Sequence, residues 1–278
     1  MKLATFNHNG RQYVGIIDEK VHVLDVADMC ALIHRGVDDI GSIVTHTLER
    51  AEIELLAPIV HPRQDIICLG MNYLDHEKEA ADFGGKAFEK KNDNVYFSKR
   101  VNRACATGEM ISSHNDVTKC LDYETELAVI LGEDLYKARK EDCYRAIFGY
   151  TILNDITARD IQSRHMQFYA GKSLEDSCPI GPWIVTADEF DQEPDLALRT
   201  FVNGQRRQDS RTSLLVSDIG DILEELSGYM MLKKGTIIAT GTPAGVGMGF
   251  TPPKYLKPGD EIISEIEGIG ELIVRIGK

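Results

Sequence analysis

Three carboxylates, Asp122, Glu124 and Glu126, stand at intervals of two in the stretch Asp122-Tyr123-Glu124-Thr125-Glu126-Leu127-Ala128-Val129-Ile130-Leu131. Read as a β-strand, this stretch sends Asp122, Glu124, Glu126, Ala128 and Ile130 to one face, and Tyr123, Thr125, Leu127, Val129 and Leu131 to the other. Like charges so placed repel each other. A sheet tolerates them either because water bathes an edge strand or because a cation sits between them. Oxygen-rich donor sets of this kind suit hard divalent ions such as magnesium, manganese or calcium. Asp155 follows the apolar run 147–153, where an aspartate either ligates a metal or caps a helix. His76 and Glu79 are three apart on a predicted helix, hence on one face. A glutamate that accepts a hydrogen bond from one imidazole nitrogen leaves the other nitrogen free as a base. The alternative for His76-x-x-Glu79 is a charged, exposed helix face. It is not the zinc-protease pattern, which needs a second histidine where Ala80 stands. Lys172, in Gly171-Lys172-Ser173, either pairs with a substrate carboxylate or is a surface lysine. The turn Thr240-Gly241-Thr242-Pro243-Ala244-Gly245-Val246-Gly247 exposes backbone N–H groups and a hydroxyl suited to a carboxylate or phosphate, without the Gly-Lys-Ser/Thr ending of a Walker A loop.

The elements that must position these groups can be read along the chain. Its 278 residues allow one large domain, or one large and one small. Residues 1–62 read as a small N-terminal α/β unit. It has strands at 3–6, 13–17 and 21–24, an Asn9-Gly10 turn, helices at 27–33 and 40–51, and a link marked by Pro58 and Pro62. Residues 63–278 read as the main domain. Strands are predicted at 65–70, 94–99, 147–153 and 236–239, with a helical segment at 139–146. A hairpin turns at Asn203-Gly204, and a second closes the chain over 261–266 and 271–276. The clearest helix, 217–230, is capped by Ser217 and carries the apolar stripe Ile219, Ile222, Leu223, Leu226, Tyr229 and Met230. The polar, Gly-containing stretch 81–94 reads as a mobile loop beside the candidate base, hence a candidate lid.

A formal charge of −13 and a pI near 5.1 argue against nucleic acid or an anionic membrane as partner, because either needs a basic patch. The apolar runs are too short to span a bilayer, and the N-terminus lacks the apolar core of a signal peptide. The six cysteines are scattered without a Cys-x-x-Cys pair, and read as reduced thiols of a cytoplasmic protein.

Taken together, the motifs resemble the fumarylacetoacetate hydrolase family, in its short bacterial, acylpyruvase-like branch. Those that carry the resemblance are Asn72-Tyr73-x-x-His76-x-x-Glu79, Asp122-Tyr123-Glu124-x-Glu126-Leu127, Asn154-Asp155-x-Thr157-Ala158-Arg159-Asp160-x-Gln162, Gly171-Lys172-Ser173, the Asn203-Gly204 hairpin and the Gly-rich turn at 240–247. They stand in the family's order from about residue 65 onward. The resemblance implies an α+β, mostly β fold: a mixed β-sandwich roll flanked by helices, with the smaller N-terminal domain. It also implies a homodimer. By position, Glu124, Glu126 and Asp155 become ligands of one Mg²⁺ or Mn²⁺ per subunit. His76 and Glu79 become the catalytic dyad, on a segment that orders with substrate. Lys172 and Gln162 become substrate contacts, with Lys172 counted among the catalytic groups, and Thr242 becomes the holder of a substrate carboxylate. Leu174-Glu175 stands where Phe-Asp is common, which alters packing beside Lys172.

The implied activity is metal-dependent hydrolysis of a C–C bond in an acylpyruvate-like 2-oxo acid through a metal-stabilised enolate, with His76 taking a proton from water. The same platform serves a decarboxylase, a lyase, or an isomerase or tautomerase acting on a related 2-oxo dicarboxylic acid. A catalytically silent binding protein is the reading from another class.

Overall fold

The structure, a computed structural model of the chain, describes residues 1–84, 93–165 and 167–278. The acidic stretch lies at its centre. It is broken at Tyr123 and Glu124 into two strands, Leu121–Asp122 and Thr125–Leu131. Every residue from Leu121 to Leu131 is buried, so the solvated edge strand is excluded. Strand Thr125–Leu131 pairs antiparallel with Ile147–Asn154 on one side and with Ile237–Ala239 on the other. The period-2 alternation holds. Leu127, Val129 and Leu131 enter one apolar core, and Ala128 and Ile130 enter another on the opposite face. A strand buried on both faces reads as a continuous apolar run, and this one does from Leu127 onward.

Among the described residues the strands form three sheets, of eleven, five and two strands. The eleven-stranded sheet is mixed. Its parallel pair is Ile237–Ala239 with Ile66–Gly70, and Val95–Lys99 then adds antiparallel to Ile66–Gly70. At its other end the N-terminal strand Lys2–His8 pairs with Ile180–Thr186, in register Lys2 with Val185 and Leu3 with Ile184. The strands of residues 1–62 therefore extend the main sheet rather than forming one of their own. The five-stranded sheet is built from hairpins Ala197–Val202/Gln205–Arg211 and Glu261–Ile266/Gly270–Ile276, with Met110–Ile111 at one edge. It packs with helix Ile219–Tyr229 against the core that receives Leu127, giving the mixed sandwich expected. Between the sheets lies a buried polar knot in which Thr125, Thr200, Gln208 and Ser264 hydrogen-bond to one another. It fixes Thr125 between the two glutamates.

Most expected elements appear within a residue or two. Both turn predictions are met by left-handed backbone at both central positions: Asn9 and Gly10 (φ 52° and 78°), and Asn203 and Gly204 (φ 50° and 73°). Two elements differ. The expected helix at 40–51 is a 3₁₀ turn, Ile40–Ile43, followed by strand Val44–Leu48, which pairs with Val21–Leu24. The β-branched Val44, Thr45 and Thr47 favour that pairing over a helix. Helix Ile219–Tyr229 is capped by Asp218, not Ser217: the Asp221 N–H donates to the Asp218 carboxylate at 2.9 Å. Its stripe is buried at Ile219, Ile222, Leu223 and Leu226, whereas Tyr229 and Met230 are exposed. The helix that carries the candidate base runs Leu74–Gly84. Most of the candidate lid at 81–94 lies outside the described residues. No helix among them is long and apolar enough to cross a membrane.

Candidate active site

The carboxylates of Glu124, Glu126 and Asp155 converge, with one oxygen of each within 4.8 Å of the others. Three local features bring them together. The strand break at Tyr123-Glu124 turns Glu124 inward. The Asp155 N–H donates to the Glu124 carbonyl at 2.8 Å, and the Glu124 N–H donates to Asn154 Oδ1 at 3.0 Å, which ties the two strand ends. Asp155 caps no helix: the following helix, Arg159–Arg164, starts after Ala158 without a side-chain cap.

Three buried cations surround the cluster. Lys172 is buried, not a surface lysine, and its Nζ donates to Glu124 Oε2 (2.5 Å) and Asp155 Oδ2 (2.7 Å). Arg159 reaches Glu124 Oε1 at 2.6 Å and donates from Nε to Asp122 Oδ2 at 2.9 Å. Lys99 Nζ lies 2.8 Å from Asp155 Oδ1, yet its hydrogen bonds go to Ile156 O, Lys172 O and Ser177 Oγ. That leaves Asp155 Oδ1 held by charge and without a directed hydrogen bond. Gly171 makes this packing possible, since a Cβ there would sit 2.5 Å from the Gln162 backbone nitrogen. Helix Tyr169–Lys172 is thereby pressed onto helix Arg159–Arg164, and Gln162 Oε1 accepts from Arg159 Nη1 at 3.2 Å.

The electrostatics are uneven. Burial alone would raise the Glu124 carboxyl, but Lys172 and Arg159 outweigh it and hold the pKa down to about 2. Glu126 is the opposite case. It accepts the Gly241 N–H at 2.8 Å but pairs with no cationic side chain among the described residues. Burial, with Asp155 and Glu124 as like-charged neighbours, pushes it well above the usual carboxylate range. A buried carboxylate without an ion pair of its own, beside two others, is an environment that a cation relieves. The all-oxygen donor set suits a hard divalent ion. The residues therefore fit such an ion.

The dyad is formed. His76 is buried, its Nδ1 lies 3.1 Å from Glu79 Oε2, and the Gly245 N–H donates to both Glu79 oxygens at 3.1 and 3.3 Å. The exposed-helix reading thus fails at these two positions. His76 shares one small cavity, about 30 Å³, with Glu124, Glu126, Arg159, Gln162, Lys172, Thr242 and Met248 among others.

The Gly-rich turn departs from expectation in what its amides hold. The N–H groups of Gly241, Gly245, Gly247 and Met248 donate to the chain's own carboxylates: Glu126, Glu79 and, for the last two, Asp122. Thr242 lines the cavity, but its hydroxyl donates to Thr125 O at 2.9 Å and accepts from Gln208 Nε2 at 2.7 Å. Arg159, Asp122 and Lys99 are the site groups to which sequence reasoning gave no role. For Arg159 a signal existed, its spacing of three from Gln162 on one helix.

The chain matches the C-terminal domain profile of fumarylacetoacetate (FAA) hydrolase across residues 65–277. It belongs to the fumarylacetoacetate hydrolase family. Among curated relatives of this family, "Oxaloacetate tautomerase YisK" of Bacillus subtilis (strain 168) is 45% identical over 240 residues, which is 86% of this chain and 77% of that protein. Among solved family structures, "Fumarylacetoacetate hydrolase (EaFAH)" from the psychrophile Exiguobacterium antarcticum is 39% identical with a TM-score of 0.89, covering 100% of this chain and 99% of that one. The "5-carboxymethyl-2-hydroxymuconate delta-isomerase" from Mycobacterium smegmatis is 31% identical with a TM-score of 0.80, covering 100% and 99%.

One substitution tests the dyad without touching it. A Cβ at Gly249 would lie 1.6 Å from Glu79 Oε1. The carboxylate is the flexible partner and would move, so Gly249→Ala is expected to fold normally but to lose about 10²-fold in turnover through misplacement of Glu79. A thermal melt together with kcat checks both halves. A wild-type rate would show that Glu79 does not need this position.

Proposed function

We propose that this chain catalyses keto–enol proton transfer on a small 2-oxo dicarboxylic acid of the oxaloacetate type, assisted by Mg²⁺ or Mn²⁺ at Glu124, Glu126 and Asp155. The observation that carries the reading is a buried, oriented His76–Glu79 pair on the same small cavity as the carboxylate triad. A bound divalent ion supplies Lewis-acid polarisation of the 2-oxo and adjacent carboxylate oxygens, which acidifies the neighbouring C3–H.

The chain's own residues do the rest. Glu79, fixed by the Gly245 N–H, accepts the Nδ1 proton of His76 and leaves Nε2 as the base. Nε2 takes a proton from C3 of the keto form, and the imidazolium so formed returns it to the 2-oxo oxygen to give the enol; in reverse, Nε2 takes the enol proton and returns it to C3. Arg159 Nη2 is buried and without a hydrogen-bond partner, so it is available, beside Gln162, for the distal carboxylate of the substrate. Lys172 holds Glu124 and Asp155 in place. Four buried carboxylates (Asp122, Glu124, Glu126, Asp155) face three buried cations (Lys99, Arg159, Lys172). A dication turns that balance positive, which favours a dianionic substrate. The cavity has room for about two water molecules. Entry of a 2-oxo acid therefore requires the segment carrying His76 to withdraw, and the tight space favours a compact skeleton.

The likeness to YisK, a protein named as an oxaloacetate tautomerase, supports this reading. C–C hydrolysis of an acylpyruvate is the second reading. It is favoured by the likeness to the Exiguobacterium antarcticum hydrolase, and the same dyad can take a proton from water. Assays with oxaloacetate and an acylpyruvate at saturating Mg²⁺ separate the two. Enol–keto interconversion of oxaloacetate without acylpyruvate cleavage is expected. Cleavage as the faster reaction would install the hydrolase, decarboxylation as the main event would install the lyase, and inertness to all would leave a binding protein.

A further inference from the structure

A second concave site lies on the five-stranded sheet, outside the acidic cluster. It is a cavity of about 370 Å³ lined by Lys119, Arg207, Lys254, Tyr255, Lys257 and Asp260, among others. In a chain of net charge −13, four cations on one cavity are unusual company. None of the four forms an ion pair among the described residues. The acid facing them, Asp260, has both oxygens occupied: Oδ1 accepts from Asn203 Nδ2 and Oδ2 from the Lys257 N–H, each at 2.8 Å. Arg207 Nη2 donates to Gln205 Oε1 at 3.3 Å, but its Nε and Nη1 are buried without a hydrogen-bond partner. The guanidinium stacks on Phe250 with Cζ 5.1 Å from the ring centroid, and Lys254 Nζ sits 4.2 Å from the same ring. Four cations without ion-pair partners against one carboxylate, Asp260, leave the cavity wall with a net positive charge that attracts an anion.

We infer that this cavity binds a small dianion, a metabolite bearing a phosphate or two carboxylates. Its volume admits a molecule of that class. The exposed Lys254 and Lys257 supply attraction at the surface, while Arg207, held against Phe250, adds a fixed positive charge to the wall. The site is separate from the proposed chemistry, but Phe250, against which Arg207 and Lys254 lie, directly follows turn Gly247–Gly249, which lies against Glu79.

The test is calorimetric titration of the Mg²⁺-loaded protein at constant ionic strength with inorganic phosphate and, separately, with succinate, which tells a phosphate preference from a carboxylate preference. The wild type is expected to bind at least one of them with Kd in the millimolar range or tighter, and K254E/K257E to bind it at least about tenfold more weakly. Lys172→Met serves as the active-site control and is expected to keep this binding. No heat with either anion up to about 20 mM would overturn the site. So would binding that survives K254E/K257E but is lost in Lys172→Met, which would place the dianion among the acidic cluster. If the double variant alters oligomeric state by light scattering and leaves anion binding unchanged, the face is a contact between copies of the chain and the site falls.

Discussion

Glu126→Gln is expected to remove divalent-ion binding and about 10³-fold of the turnover, while leaving the ion-free protein as stable as the wild type or more so. The two halves of this expectation come from one fact. Glu126 is buried beside Asp155 and Glu124, with a backbone N–H but no direct ion pair among the described residues, and the nearby Lys172 offsets its charge only in part. In the ion-free protein its charge is a cost, and an amide that keeps the Gly241 hydrogen bond removes that cost. With the ion bound, the same charge is the ligand. Glu124→Ala should behave differently. It strips the partner from Lys172 and Arg159, both buried, and breaking buried pairs from one side costs about 3–5 kcal/mol. Thermal melts with and without Mg²⁺ check the contrast. Added ion should raise Tm in the wild type and not in Glu126→Gln. Equal destabilisation of the ion-free protein by both substitutions would mean that Glu126 is an ordinary structural carboxylate.

The second large effect belongs to the dyad. His76→Ala is expected to lower proton transfer at C3 by about 10²–10⁴-fold. Mg²⁺ affinity should stay near the wild-type value, because His76 holds no member of the triad in place. Decarboxylation of oxaloacetate needs no base at C3, so any such side activity should fall far less. Glu79→Gln should give a smaller loss, since Gln still accepts from Gly245 but orients the imidazole less firmly. Measuring kcat for both reactions, with calorimetric Mg²⁺ affinity, separates a base from a structural histidine. Parallel loss of both reactions and of ion binding would make His76 part of the scaffold.

What the sequence could reveal of this site follows from how local each signal is. His76 and Glu79 are three apart on a helix, so periodicity alone puts them on one face; Glu124 and Glu126 are two apart, and although the strand breaks at Tyr123-Glu124, both still reach the site. Asp155 follows a long apolar run, where a helix cap is the commoner use of an aspartate; only the long-range pairing of Thr125–Leu131 with Ile147–Asn154 sets it beside Glu124. Lys99 carries no local signal, because a lysine ending a weakly alternating strand reads as surface until the chain 57 and 73 residues further on closes over it. The Gly-rich turn was legible as a donor of N–H groups but not in its acceptors, since Glu79, Asp122 and Glu126 come from three separate elements. In the fold, hairpin turns were legible because Asn-Gly needs left-handed backbone at both positions. The strand Val44–Leu48 was missed because its identity depends on an edge, that of Val21–Leu24, waiting to be paired.

The most direct measurement follows the ultraviolet absorbance of enol-oxaloacetate as it relaxes to the keto form, at saturating Mg²⁺, with and without protein. Decay should accelerate in proportion to protein concentration, and the acceleration should vanish on chelation of the ion and in His76→Ala. Progress curves that coincide with and without wild-type protein would contradict proton transfer at C3 as the reaction of this site.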